Sequence, residues 1–140
     1  MLNFFNKKNK EIIESSSAKI AALLIHVAKI DENYTEKERE IIKKTIIKLS
    51  SKNESIDEVL TKAEQIEKNS NQILDFTREV KNMNMENKVK IVETLWRIIY
   101  SDKNADMYET SLMRRLTGLL YIDSKIMGNI KNKILKENLK

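Results

Sequence analysis

The sequence holds no proline and only two glycines, Gly118 and Gly128, among its 140 residues. A sheet protein of that length needs many tight turns, and turns at positive φ draw on Gly, Asn and Asp. Asparagine is plentiful, yet the Asn-Gly and Asp-Gly pairs that mark hairpins never occur. Helices are what such a chain can build. With 41% apolar and 34% charged residues it has enough apolar side chains for a core and is not disordered by composition. The absence of cysteine excludes disulfides, thiolate metal sites and a cysteine nucleophile.

Apolar periodicity places the helices. Ile20, Leu23, Leu24, Val27 and Ile30 make one stripe ending at Asp31, and Ile42, Ile46 and Leu49 a second. Ser55 and Glu58 have capping-box spacing ahead of Ile56, Val59, Leu60, Ala63 and Ile66. Ile73, Phe76, Thr77 and Val80 mark a fourth helix. Asn84 is placed to cap a fifth, with Val89, Val92, Trp96 and Ile99. Leu112, Leu116, Leu119 and Leu120 mark the sixth, and Ile126, Ile130 and Ile134 the seventh, starting at Asp123 and Ser124. Connections this short predict a single all-α bundle of about seven helices over residues 18–140, preceded by a basic and apolar segment, residues 1–17. No run of residues is apolar and long enough to cross a bilayer, and the N-terminus has no signal-peptide pattern. A cytoplasmic location is the expectation.

The chain also matches itself at an offset of 71 residues. Leu24 to Asp31 lies over Leu95 to Asp102, and the match runs on through Asn33 over Asn104, Thr35 over Asp106 and Glu38 over Glu109. Both halves read apolar helix, D-x-N-x-[T/D]-x-x-E, apolar helix. Two pseudo-symmetric helix–loop–helix repeats are therefore expected to pack together.

Two readings of these loops stay open. In one, Thr35 and Asp106 are N-caps, with Glu38 and Glu109 completing capping boxes. That leaves Asp31 and Asp102 at helix C-termini, where the macrodipole disfavours a carboxylate by a few tenths of a kcal/mol; Lys or Arg, the next helix N-terminus or a cation must compensate. In the other, oxygen side chains at alternate positions wrap a hard divalent cation, Ca²⁺, Mg²⁺ or Mn²⁺, with Asp31, Glu38, Asp102, Asp106 and Glu109 as ligands. The last carboxylate stands at position eight, not twelve as in an EF-hand, and no glycine stands at position six.

The stretch from Ala22 to Ile42, with Asp31 and Glu38, and the stretch from Leu95 to Leu120, with Trp96, Arg97, Tyr100, Asp102, Tyr108, Glu109, Arg114 and Arg115, resemble the TerB-like family. That is the tellurite-resistance TerB group, whose fold is shared with the N-terminal domain of a membrane-associated DnaJ-type co-chaperone. The resemblance spans roughly Ala18 to Lys131 and implies an all-helical domain of two pseudo-repeats without known catalytic activity. It also implies a stress-resistance role at the cytoplasmic face of the membrane, a protein partner, and metal binding by acidic residues, which carry over onto Asp31, Glu38, Asp102 and Glu109. Glu32 and Lys103 stand where the family usually has glycine, and Lys103 brings a cation to the second loop.

Other residues have plainer readings. His26, the lone histidine, sits among apolar residues with no nucleophile pattern around it, and no phosphate loop occurs, so an enzyme is not expected. Trp96, Tyr100 and Tyr108 are expected to pack in the core. Arg115 is expected to face the apolar stripe and pair with a half-buried carboxylate. Leu2, Phe4 and Phe5 beside Lys7, Lys8 and Lys10 suit either a groove on the bundle or weak docking at an anionic membrane through residues 1–10. The formal charge of +5 is concentrated at the ends. Residues 1–10 carry +3 and residues 124–140 carry +4, leaving −2 for the body. A nucleic-acid partner is not expected, because a DNA-reading face would put its basic residues on the folded body. The alternative to a cation-responsive interaction module is a structural or oligomerisation bundle whose motif acids are caps and salt bridges.

Overall fold

The computed structural model describes residues 17–30, 34–49, 55–70, 73–101 and 107–138, the side chains of residues 75, 107–110 and 138 excepted. Seven helices follow one another among them: α1 (17–28), α2 (Glu36–Leu49), α3 (Ile56–Asn69), α4 (Leu74–Lys81), α5 (Met85–Tyr100), α6 (Met107–Leu119) and α7 (Ser124–Asn138). No strand occurs among the described residues.

α1 is the central element. The sequence suggests a stripe, but Ala18, Ala21, Ala22 and Ile25 are buried together with Leu23, Leu24 and Val27, so the helix is enclosed on nearly all sides. Its alanines are small enough to let neighbouring helices approach. Polar contacts tie its rim to two of them. His26 Nδ1 and Lys29 Nζ meet Glu67 of α3 at 3.3 and 2.8 Å, and Lys19 pairs with Glu79 of α4 at 3.6 Å.

α5 is the second axis, burying Ile91, Val92, Leu95, Trp96, Ile98 and Ile99 against α2, α4 and α7. The α2–α5 contact joins the second helix of the first repeat to the first helix of the second, the packing between repeats that the self-match implied. A polar register sits inside it. The Thr45 and Thr94 hydroxyls lie 2.6 Å apart and also reach back to the carbonyls of Ile41 and Lys90. Between α5 and α7, Arg97 donates to both Glu137 oxygens at 3.2 and 3.1 Å, and Lys133 reaches Glu93 at 3.2 Å. The hydrogen bond from Arg97 holds the Glu137 carboxyl below its ordinary range and raises the Arg97 guanidinium.

Helix ends separate good signals from poor ones. Asn84 caps α5, accepting from Asn87 N at 2.9 Å, and Asp123 accepts from Lys125 N at 2.7 Å at the start of α7. Ser55 precedes α3 in extended backbone but makes no side-chain cap bond. Ser55 and Glu58 are both exposed, so water can satisfy the helix N–H groups there. Among the described side chains of α6 and the residue after it, Met113, Leu116 and Leu120 are buried, with Leu112 and Leu119 only half-buried. That rotation turns Arg115 out to solvent instead of toward the stripe.

α6 ends in a Schellman motif, Tyr121 N donating to Gly118 O at 3.3 Å and Ile122 N to Thr117 O at 3.1 Å. The left-handed position belongs to Tyr121, with φ 55° and its side chain 66% exposed. A non-glycine residue there costs roughly 1–2 kcal/mol; the Lys81 ammonium 4.5 Å above the ring returns about half of one. Tyr121→Gly is therefore expected to raise Tm by about 3 °C in thermal unfolding.

Candidate functional site

The sequence assigns function to the two loops that leave α1 and α5, and the first is described from Tyr34 onward. Thr35 and Glu38 form a reciprocal capping box at the start of α2. Glu38 N donates to Thr35 Oγ1 at 3.1 Å, while Thr35 N and Oγ1 donate to Glu38 Oε1 at 2.9 and 3.0 Å. Glu38 is 2% exposed, so this carboxylate serves helix initiation from inside the fold. Asp31, Asp102 and Asp106 lie outside the described residues, as does the side chain of Glu109. Among the described residues no three His, Cys, Asp or Glu side chains gather as a metal site would require.

Next to Glu38, Lys37 reaches across to the second repeat, its Nζ donating to the Ser101 carbonyl at 3.3 Å. Ser101 immediately precedes Asp102. The bond holds the first turn of α2 beside the last turn of α5, so the end of one acidic loop and the beginning of the other start from neighbouring points. It also places an ammonium at the negative pole of α5. Sequence reasoning missed Lys37, because a lysine in a first helical turn carries no signal of a partner in the other repeat.

Tyr34 lies two residues before α2. Its hydroxyl is buried without a hydrogen-bond partner among the described residues, and its pKa is pushed up to about 12, by burial first and then by the Glu64 charge. Glu64 itself meets Arg39 at 3.4 Å, tying α3 to α2 beneath the loop. Because the neutral phenol is favoured in the folded state, its contribution to stability is complete below pH 10 and is lost as the pH rises through about 12. Tyr34→Phe should remove that part of the alkaline loss, seen in denaturant unfolding of both proteins between pH 10 and 12. At neutral pH the variant should match the parent or exceed it by about 1 kcal/mol, since the lost hydroxyl had no partner.

Of the three aromatic residues expected in the core, Trp96 is buried there and Tyr100 is partly buried against it. Their rings stack, centroids 5.7 Å apart. His26 is half-buried against Phe76 at 6.1 Å and uses Nδ1 on Glu67. Tyr108 has its side chain outside the described residues.

Helix on helix, with one repeat packed on the other through α2 and α5, defines an all-helical pseudo-repeat domain. Residues 17–132 match the family Tellurite resistance protein TerB. The match takes in both repeats and most of the chain, and the protein belongs to this family. No curated protein and no solved structure matches the chain. No helix among the described residues is long and apolar enough to cross a membrane.

Proposed function

We propose that the protein is a non-catalytic, stress-response interaction module of the tellurite-resistance type, acting in the cytoplasm at the inner face of the membrane. Its two acidic loops take up a divalent cation and so set the surface offered to a protein partner. The observation that carries this reading is the Lys37–Ser101 hydrogen bond, which starts both acidic loops from adjacent helix ends. Family membership over both repeats supports it. Asp31, Asp102, Asp106 and Glu109 are the ligands in this reading, and Ca²⁺, Mg²⁺ and Mn²⁺ the candidates, as hard cations that suit carboxylate oxygens. Glu38 joins through its place in the cap, holding the loop end rigid. Residues 1–10, basic and apolar, supply weak contact with an anionic membrane surface.

Thermal unfolding of chelator-treated protein tests the cation. At about 100 times its Kd, a ligand of the native state adds roughly 2.7 kcal/mol, a rise in Tm on the order of 8 °C for a chain of this size. Asp102→Asn should abolish the rise. A variant that loses equal stability with and without metal would show the carboxylate to be structural, as in the alternative of a bundle held by caps and salt bridges.

A further inference from the structure

The chain's two glycines are both placed where a helix does not want them. Gly118 lies in the last turn of α6 and Gly128 in the second turn of α7, and neither has positive φ. A Cβ built on either would meet nothing within 4 Å, so neither close packing nor backbone conformation calls for glycine. Both are poor helix formers kept at a cost to stability. Between them, the one position whose backbone favours glycine carries Tyr121.

What the glycines share is a groove. Gly118 and Gly128 face an open cavity of about 570 Å³ between α5, α6 and α7. Met113, Ile122 and Met127 give it apolar walls, and methionine adapts its shape to what it touches. Arg114 and Lys131 stand on it, and no carboxylate is among the described residues lining it. Trp96 also lines it, 3% exposed, with its indole N–H lacking any hydrogen-bond partner among the described residues and the Lys131 ammonium 5.5 Å above the ring. A buried donor without an acceptor is a standing cost unless something supplies one.

We infer that this groove docks an acidic peptide segment of a partner protein, a large apolar side chain seated between the methionines and carboxylates lying against Arg114 and Lys131. Charge decides against the chain's own residues 1–10, which carry +3. The open side of the groove suits a segment of a larger molecule, since a small anion would remain largely in water. The inference goes beyond the acidic loops, none of whose described residues line the groove, and does not depend on cation binding there.

Trp96, the lone tryptophan, is the reporter. Full-length protein is titrated with a short synthetic peptide alternating glutamate with leucine and phenylalanine, and Trp96 emission is followed. The expected result is a saturable change that weakens as salt is raised, absent with a peptide carrying lysine in place of glutamate. Arg114→Glu, at an exposed position, should weaken binding at least tenfold. Gly128→Leu should do the same by filling the groove, while Tm stays level or rises by about 3 °C as expected for a glycine replaced in a helix. The inference is overturned by no saturable change, an equal response to the lysine peptide, undiminished binding by Gly128→Leu, or an equal response to capped glutamate alone. A Trp96 change produced by raising the protein's own concentration, with a doubled mass by light scattering, overturns it in favour of a second copy.

Discussion

Replacing Leu95 by alanine should cost about 3–4 kcal/mol, the largest single effect expected here. Leu95 is fully buried in the middle of α5, the helix on which α2, α4 and α7 converge. Truncation removes the transfer energy of the lost carbons and leaves a cavity that cannot collapse, because three elements hold its walls apart. In thermal unfolding this corresponds to a fall in Tm of roughly 10 °C. In urea the midpoint should drop with an unchanged slope, since the surface exposed on unfolding is nearly the same. The contrast is Ile47→Ala on α2. That side chain is 53% exposed, and its removal should stay within about 0.5 kcal/mol. Two aliphatic residues separated so widely test the packing arrangement rather than hydrophobicity in general.

Glu38→Ala should come next, at about 2–3 kcal/mol, because two effects add. The variant removes the N3 partner of the capping box, and it strands the Thr35 N–H and hydroxyl that Glu38 Oε1 accepts. Glu38→Gln keeps an acceptor oxygen in the same place and should lose less than about 1 kcal/mol in denaturant unfolding. Comparing the two variants with and without divalent metal separates the capping role from a ligand role. A capping carboxylate gives the same loss in chelator and in metal. A ligand gives a loss that grows when metal is present.

The legible part of the fold is the part written as periodicity. The α3 stripe from Ile56 to Ile66 and the α5 stripe through Val92, Trp96 and Ile99 lie toward the core as their spacing implies. Periodicity under-reported α1. Ala21, Ala22 and Ile25 fall off the expected stripe, and only the presence of neighbours on the other side makes them buried. It also misplaced α6 by a fraction of a turn. Leu112 and Met113 are both apolar, and the choice between them is made by packing rather than by pattern. Arg115 followed that error out to solvent.

Caps show the same division. Thr35 with Glu38 and Ser55 with Glu58 have identical spacing, yet only the first closes a box, because Glu38 is buried where water cannot serve the helix N–H groups and Glu58 is exposed. At the candidate site, the self-match named the loop acids and their order. Lys37, which links the two repeats at Ser101, was invisible to it, since Lys37 pairs across 64 positions with a backbone carbonyl that any residue would provide. Gly118 and Gly128 were noticed as a scarcity of turn residues. Their places inside α6 and α7 take their meaning from the groove between those helices and α5.

Titration calorimetry on chelator-treated protein with Ca²⁺, Mg²⁺ and Mn²⁺ tests the central claim, that the paired acidic loops form a cation site. Saturable heat with at least one of the three, lost in Asp102→Asn and retained in Glu38→Gln, is the predicted result. No saturable heat from any of them up to roughly 1 mM, the weak end of known calcium modules, would contradict it.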